Sequence, residues 1–179
     1  IKFIKIISSK DGFNISQRHI TLSTCGLVDK IYLLASENLK INLAISLHAP
    51  NDSIRQKIMP IANKYKISDI IKACGFYFKN TGRRITFEYI LADHINDNID
   101  NAYELSELLK NFACHVNIIP LNKIKTSVLK PSSLSRQNKF ISILKSAKIN
   151  TTIRRSLGDN INAACGQLRN SFLSDLSDQ

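Results

Sequence analysis

The chain has 179 residues, 44% of them hydrophobic and 22% charged, a size and balance that suffice for an ordinary globular core and argue against a disordered chain. Its 25 basic and 14 acidic residues leave a net charge of +11, which suits a polyanionic partner such as RNA, although a composition rich in Ile, Asn and Lys also produces solvated positive surface. No run approaches the roughly 20 uninterrupted apolar residues of a membrane span, and the four cysteines, Cys25, Cys74, Cys114 and Cys165, stand far apart with no Cys-x-x-Cys pair; a soluble, cytoplasmic protein with reduced thiols is expected.

In chain order, Ile1–Lys10 carries no assigned element and no initiator Met. It leads to the first β-branched run, His19–Thr24. As a parallel strand this run lacks a preceding partner, so an N-terminal half of the fold is expected upstream. A short helix is predicted after Gly26, a strand over Ile41–His48, and another short helix after Asn51. Ile67, Ile70, Ile71, Cys74, Tyr77 and Phe78 recur at helical spacing, with Ser68 the candidate cap. Ile85–Ala92 reads as a strand, and Ile99, Ala102, Leu105, Leu109 and Phe112 as the next helix. His115–Leu121 is a strand, Phe140, Ile141, Leu144 and Ala147 mark a helix with Ser135 as candidate cap, and Thr151–Arg154 is the last strand. The strand runs are continuous rather than alternating, which predicts strands covered on both faces. Alternating strands and helices predict an α/β fold with a parallel sheet, either doubly wound or an arc of a (βα) barrel, without internal repeats or linkers.

Both architectures place function at the C-terminal ends of the strands. Those ends hold Ser23 and Thr24, Ser46-Leu47-His48, Asp93-His94, Pro120-Leu121-Asn122 and the segment after Arg155. Ser46 and His48 have no carboxylate beside them in sequence and no nucleophile elbow, so they read either as a hydrogen-bond cluster or as ligand groups, not as a hydrolytic triad. Asn122 reads equally as a turn residue or a ligand contact. Lys123, Lys125, Lys130, Arg136 and Lys139 surround a proline-bearing loop and are candidates for phosphate contact, against the commoner solvated face. Cys165 lies between Ala164 and Gly166 in a run of small residues. Its accessibility allows a nucleophile, but the spacing of a lone cysteine favours an inert loop residue. Cys74 and Cys114 read as core hydrophobes. Glu88 is unexpected in mid-strand and suggests a polar barrel interior.

Taken together, Ile20-Thr21-Leu22-Ser23-Thr24-x-Gly26, Ser46-Leu47-His48-Ala49-Pro50-Asn51-Asp52, Glu88-Tyr89, Asn117-Ile118-Ile119-Pro120-Leu121-Asn122 and Ala163-Ala164-Cys165-Gly166-Gln167-Leu168 resemble, in order and spacing, the dual-specificity radical-SAM RNA methyltransferases of the RlmN type. The resemblance covers nearly the whole chain and implies a partial (βα) barrel of the radical-SAM type, with residues 1–179 the C-terminal part of a single radical-SAM domain. It implies methyl transfer from S-adenosylmethionine to carbon 2 of an adenine in 23S rRNA and tRNA, with an electron donor as a further partner of the full-length enzyme and a monomeric state. By it, Ser23, Ser46, Leu47, His48 and Asn122 contact S-adenosylmethionine, and Cys165 carries the methyl group as S-methylcysteine. A second S-adenosylmethionine is then cleaved reductively at a [4Fe–4S] cluster, and the resulting radical takes hydrogen from the S-methyl group. Carbon 2 of adenine has no electron pair to attack a methyl cation, which is why radical chemistry is needed. The chain departs from the family in having no Cys-x-x-x-Cys-x-x-Cys motif and no Gly-Glu cofactor element, so it is expected to be inactive alone. Cys25, in the Ser-Thr-x-Gly turn, has no assigned role. The alternatives are a carbon-8 adenine methyltransferase of the antibiotic-resistance type and a basic RNA-binding module without chemistry.

Overall fold

The β-branched runs form five parallel strands in the computed structural model, which describes residues 1–121 and 129–154. They are β1 (Thr21–Thr24), β2 (Asn42–Ser46), β3 (Ile85–Leu91), β4 (Cys114–Pro120) and β5 (Asn150–Ile153). All neighbours are parallel, and the sheet order is β1-β2-β3-β4-β5. Between them run helices α2 (Val28–Ala35), α3 (Asp52–Ile58), α4 (Ile67–Thr81), α5 (Ile99–Leu109) and α6 (Leu134–Ser146), with α1 (Lys2–Ser8) before the first strand. Right-handed crossovers that always step the same way lay every helix on one face, whereas a doubly wound sheet must reverse its direction. The unbroken order therefore decides for the arc of a (βα) barrel. No helix among the described residues is long and apolar enough to cross a membrane.

The expectation that both faces are covered is corrected by the burial pattern. Along β3, Ile85, Phe87, Tyr89 and Leu91 are fully buried, while Thr86, Glu88 and Ile90 are only half-buried. The buried set packs with Leu43 and Ile45 of β2, Val116 and Ile118 of β4, and the inner faces of α2, α4, α5 and α6 in one core. On the opposite face, Thr86, Glu88, Ile90 and Ile119 are half-buried, and among the described residues no helix of this core lies over them. The β-branched members of that face, Thr86, Ile90 and Ile119, made the runs look continuously apolar in sequence. The chemistry of these side chains is compatible with full burial; the described helices, placed on the other face, leave them half-buried.

Helix starts also differ in detail. Ser68 does not cap α4: the N-cap is Lys66, and the Ile67 N–H is taken by the Asp52 carboxylate at 2.8 Å, across fifteen residues of sequence. For α6 the cap is Ser133, whose hydroxyl accepts from Arg136 N at 3.3 Å, rather than Ser135. Asn51 caps α3 through Ile54 N at 2.9 Å, and Asn98 caps α5 through Asn101 N at 2.7 Å. The first ten residues, unassigned in sequence, contain α1, of which only Ile4 is buried.

Candidate functional site

At the C-terminal end of β1, Thr24 turns the chain sharply: its hydroxyl oxygen accepts from Gly26 N at 3.2 Å and Leu27 N at 3.4 Å. Gly26 has φ +95°, and a Cβ there would stand 2.7 Å from Ile70 Cδ1 and 3.3 Å from an Arg55 nitrogen. Glycine is thus required on both conformational and steric grounds. Ser23, one residue before Thr24, is exposed and pairs in register with Ala44 of β2.

The next strand end is held by Arg55 of α3, which is fully buried. Its guanidinium donates to the carbonyls of Cys25 at 2.7 Å, Leu47 at 3.1 Å, Ser46 at 3.2 Å and Tyr65 at 3.4 Å. One planar fork thereby ties the turn after β1 to the end of β2 and to the approach to α4. Burial lowers the Arg55 pKa from its ordinary value, with the Cys25 and Asp52 charges opposing, but a guanidinium stays protonated in proteins. Sequence reasoning missed Arg55, because an isolated basic residue in a short helix reads as surface.

His48 follows directly. Its backbone has φ +59°, left-handed and costly for a side chain of this size, and two contacts hold it there. Its N–H, with that of Leu47, donates to Glu88 O at 3.2 and 3.1 Å, and its carbonyl accepts from Asn96 Nδ2 at 2.8 Å. The ring Nδ1 accepts from Ile90 N at 3.2 Å, so the neutral ring carries its proton on Nε2. Burial first, then the Arg55 charge, lowers the His48 pKa to about 4, against the hydrogen bond to Glu88. At neutral pH, His48 is an uncharged donor at the strand edge whose Nε2–H has no partner among the described residues.

Asn96, also missed in sequence, locks this corner. It is fully buried, donates to Ile90 O as well as His48 O, each at 2.8 Å, and accepts from Ala92 N at 2.8 Å. Tyr89 adds a bond to the Asn96 carbonyl at 2.9 Å.

Ser46 and Glu88 are register partners on neighbouring strands, and Glu88 pairs in turn with Asn117 and Asn117 with Thr152. These four lie in one row on the half-buried face. Asn117 Nδ2 donates to Glu88 Oε2 at 2.9 Å, Thr152 donates to Asn117 Oδ1 at 3.2 Å, and His115 Nε2 meets the Thr152 hydroxyl at 2.8 Å. One layer nearer the C-terminal edge, Ile90 and Ile119 are paired and half-buried. A polar row under an apolar layer, edged by the His48 N–H donor, suits a ligand that has both an aromatic ring and polar or charged groups, as S-adenosylmethionine has.

The other sequence candidates divide. Asn122, Lys123, Lys125 and Cys165 lie outside the described residues. Arg136 is drawn to the acidic turn after β3, 3.0 Å from the buried Asp97 and 3.6 Å from Asp93, beside a cavity of about 480 Å³ that Lys139 also lines. Its charge is partly spent within the fold. Lys130 and Lys139 are exposed. Cys74 and Cys114 are buried, and burial pushes their thiols up to about 12 and about 11; both are the core residues the sequence predicts. Among the described residues no group of three His, Cys, Asp or Glu side chains could hold a metal ion, and thiols held protonated are poor iron ligands. The described donor set therefore does not fit an iron–sulfur cluster.

No family model matches the chain. It is 54% identical over 177 residues to the probable dual-specificity RNA methyltransferase RlmN of Clostridium tetani, covering 99% of this chain and 51% of that protein. The similarly named protein of Clostridium acetobutylicum is 56% identical over 176 residues, covering 98% of this chain and 51% of its own length. The crystal structure of a radical SAM methyltransferase from Sphaerobacter thermophilus superposes with a TM-score of 0.88 at 45% identity, over 93% of this chain and 49% of that one. The chain thus spans about half the length of the relatives it matches.

Proposed function

We propose, from the chain's 54% identity to a relative named as a dual-specificity RNA methyltransferase, that it belongs to the RlmN-type radical-SAM RNA methyltransferases and supplies part of the S-adenosylmethionine site and the methyl-carrying cysteine of an enzyme that methylates carbon 2 of adenine in 23S rRNA and tRNA. The observation that carries the reading is the C-terminal edge of β2. There Ser46, Leu47 and His48, the triplet that the family resemblance assigns to the cofactor, are fixed by Arg55 and Asn96, and the neutral His48 Nε2–H has no partner among the described residues.

In this reading Ser23, Ser46, Leu47, His48 and Asn122 hold the cofactor across the strand ends. His48 donates through Nε2, which the Ile90 N–H reserves for that purpose, and it stays neutral, so it adds no positive charge beside a cationic sulfonium. S-adenosylmethionine, when bound, supplies the methyl group, and Cys165 accepts it as a thioether through its sulfur. The small residues around Cys165 suit a sulfur that must reach both the cofactor and an RNA base. Cluster chemistry is assigned to residues other than those described, and an electron donor and RNA are the partners. The net charge of +11 favours association with the RNA backbone.

The test is Cys165→Ala in the methyltransferase that contains this chain, with product analysis on rRNA and tRNA. Loss of carbon-2 methyladenine with S-adenosylmethionine binding retained is expected. Undiminished methylation would leave Cys165 an ordinary loop residue and favour a non-catalytic RNA-binding role, and methylation at carbon 8 would move the enzyme to the resistance class.

A further inference from the structure

Glu88 stands in the middle of β3, on the half-buried face, with Ser46 on one side and Asn117 on the other. The hydrogen bonds along this row all run one way. Thr152 gives its proton to Asn117 Oδ1, so its oxygen is left to accept from His115 Nε2–H, and the Asn117 amide gives its own to Glu88 Oε2. Glu88 is the terminal acceptor of this chain. Only one of its oxygens is used: Oε1 has no partner among the described residues, and the side chain makes no ion pair there. A purely structural role does not need a carboxylate, since a glutamine amide oxygen would accept from Asn117 equally well. An unneutralised carboxylate in mid-strand costs stability unless it is compensated.

The cofactor contacts proposed above come from the ends of β1 and β2 and from Asn122, which follows β4 in sequence, and none from β3. Yet β3 lies between β2 and β4, with neighbouring strands about 4.8 Å apart. A ligand reaching from the Ser46–His48 edge to β4 must pass over β3, and the β3 side chain at the level of Ser46 is Glu88.

We propose that Glu88 is a further cofactor-contacting residue, whose free carboxylate oxygen accepts hydrogen bonds from S-adenosylmethionine, either from the ribose hydroxyls or from the ammonium of its amino-acid group. The inference rests on the reading that S-adenosylmethionine seats at Ser46–His48. Carboxylates bind both donor types, and a cationic ligand is the natural complement to a carboxylate that has no ion pair among the described residues.

Calorimetric titration of S-adenosylmethionine and of 5′-methylthioadenosine, which keeps the ribose and lacks the amino acid, into the methyltransferase that contains this chain and into its Glu88→Gln variant tests this. Glu88→Gln retains an oxygen for Asn117, so its melting temperature should match that of the parent. Its affinity for S-adenosylmethionine should fall about tenfold or more, the usual consequence of losing a charged hydrogen bond. An equal loss for methylthioadenosine identifies the ribose hydroxyls as the donors; a loss confined to S-adenosylmethionine identifies the ammonium. If the parent binds and Glu88→Gln binds both ligands as tightly, Glu88 does not touch the cofactor and the inference is overturned while the site reading stands. If the parent binds neither, the site reading itself fails and takes this inference with it.

Discussion

Replacing Arg55 with methionine keeps the length and bulk of the side chain but removes every donor of its fork. Four backbone carbonyls lose a partner, those of Cys25, Leu47, Ser46 and Tyr65, at 2.7, 3.1, 3.2 and 3.4 Å. A hydrogen bond to a charged group contributes about 1.5–3 kcal/mol, and an acceptor left buried and unpaired costs about 1–3 kcal/mol. Against this stands the desolvation cost of the guanidinium, which methionine does not incur; well-packed apolar replacements of buried ions are sometimes neutral. Because the acceptors are main-chain groups that cannot be replaced together with the arginine, the losses outweigh the relief, and a net destabilisation of about 2–4 kcal/mol is expected. In urea this lowers the midpoint by on the order of 1–2 M with an unchanged slope. Arg55→Lys should be no milder: a single ammonium cannot span carbonyls from three segments, and it leaves a charge buried. A loss below about 0.5 kcal/mol for Arg55→Met would refute the view that this residue stitches the strand ends together.

The depressed pKa of His48 makes stability depend on pH. Its folded value, about 4, lies below its free value of 6.5, so as pH falls the unfolded chain takes up the proton first. The stabilisation is complete above about 6.5 and is lost as pH drops through about 4, by on the order of 3 kcal/mol. His115 is shifted downward as well, mainly by burial, and adds in the same direction. His48→Asn, whose Oδ1 stands where Nδ1 does and keeps an acceptor for Ile90 N, should flatten the profile of unfolding free energy between pH 7 and 4; parallel profiles for the two proteins would contradict the assignment. Asn96→Ala removes three side-chain hydrogen bonds of 2.8 Å at a fully buried position, for an expected cost of about 2–4 kcal/mol, and it frees the left-handed His48 turn. Chemical denaturation measures the first effect and the His48 ring nitrogen shifts the second; an unchanged His48 spectrum would show that Asn96 does not position it.

Much of the architecture could be read from local pattern. The Ile67–Phe78 periodicity lies wholly within α4, and every predicted strand run contains one of β1–β5 apart from its terminal residue or two, because both periods are set by the residues themselves. Caps were less legible. Asp52 caps α4 from a different segment, and no local rule connects it to Ile67. The half-buried face was misread for a related reason: Thr86, Ile90 and Ile119 fit a fully buried strand as well as a half-buried one, and only the position of the helices distinguishes the two. Arg55 and Asn96 were invisible as site residues, since neither is unusual until carbonyls from distant turns converge on it.

The order of strands and helices, the positions of Ser23, Ser46 and His48 at strand ends and the small residues around Cys165 are fixed by the sequence alone, because propensity, periodicity and chain order are local properties. Tertiary structure decided which face the described helices cover, which nitrogen of His48 carries the proton and where the polar row from His115 to Glu88 terminates. Those properties depend on groups far apart in the chain meeting within hydrogen-bonding distance, and only folding brings them there.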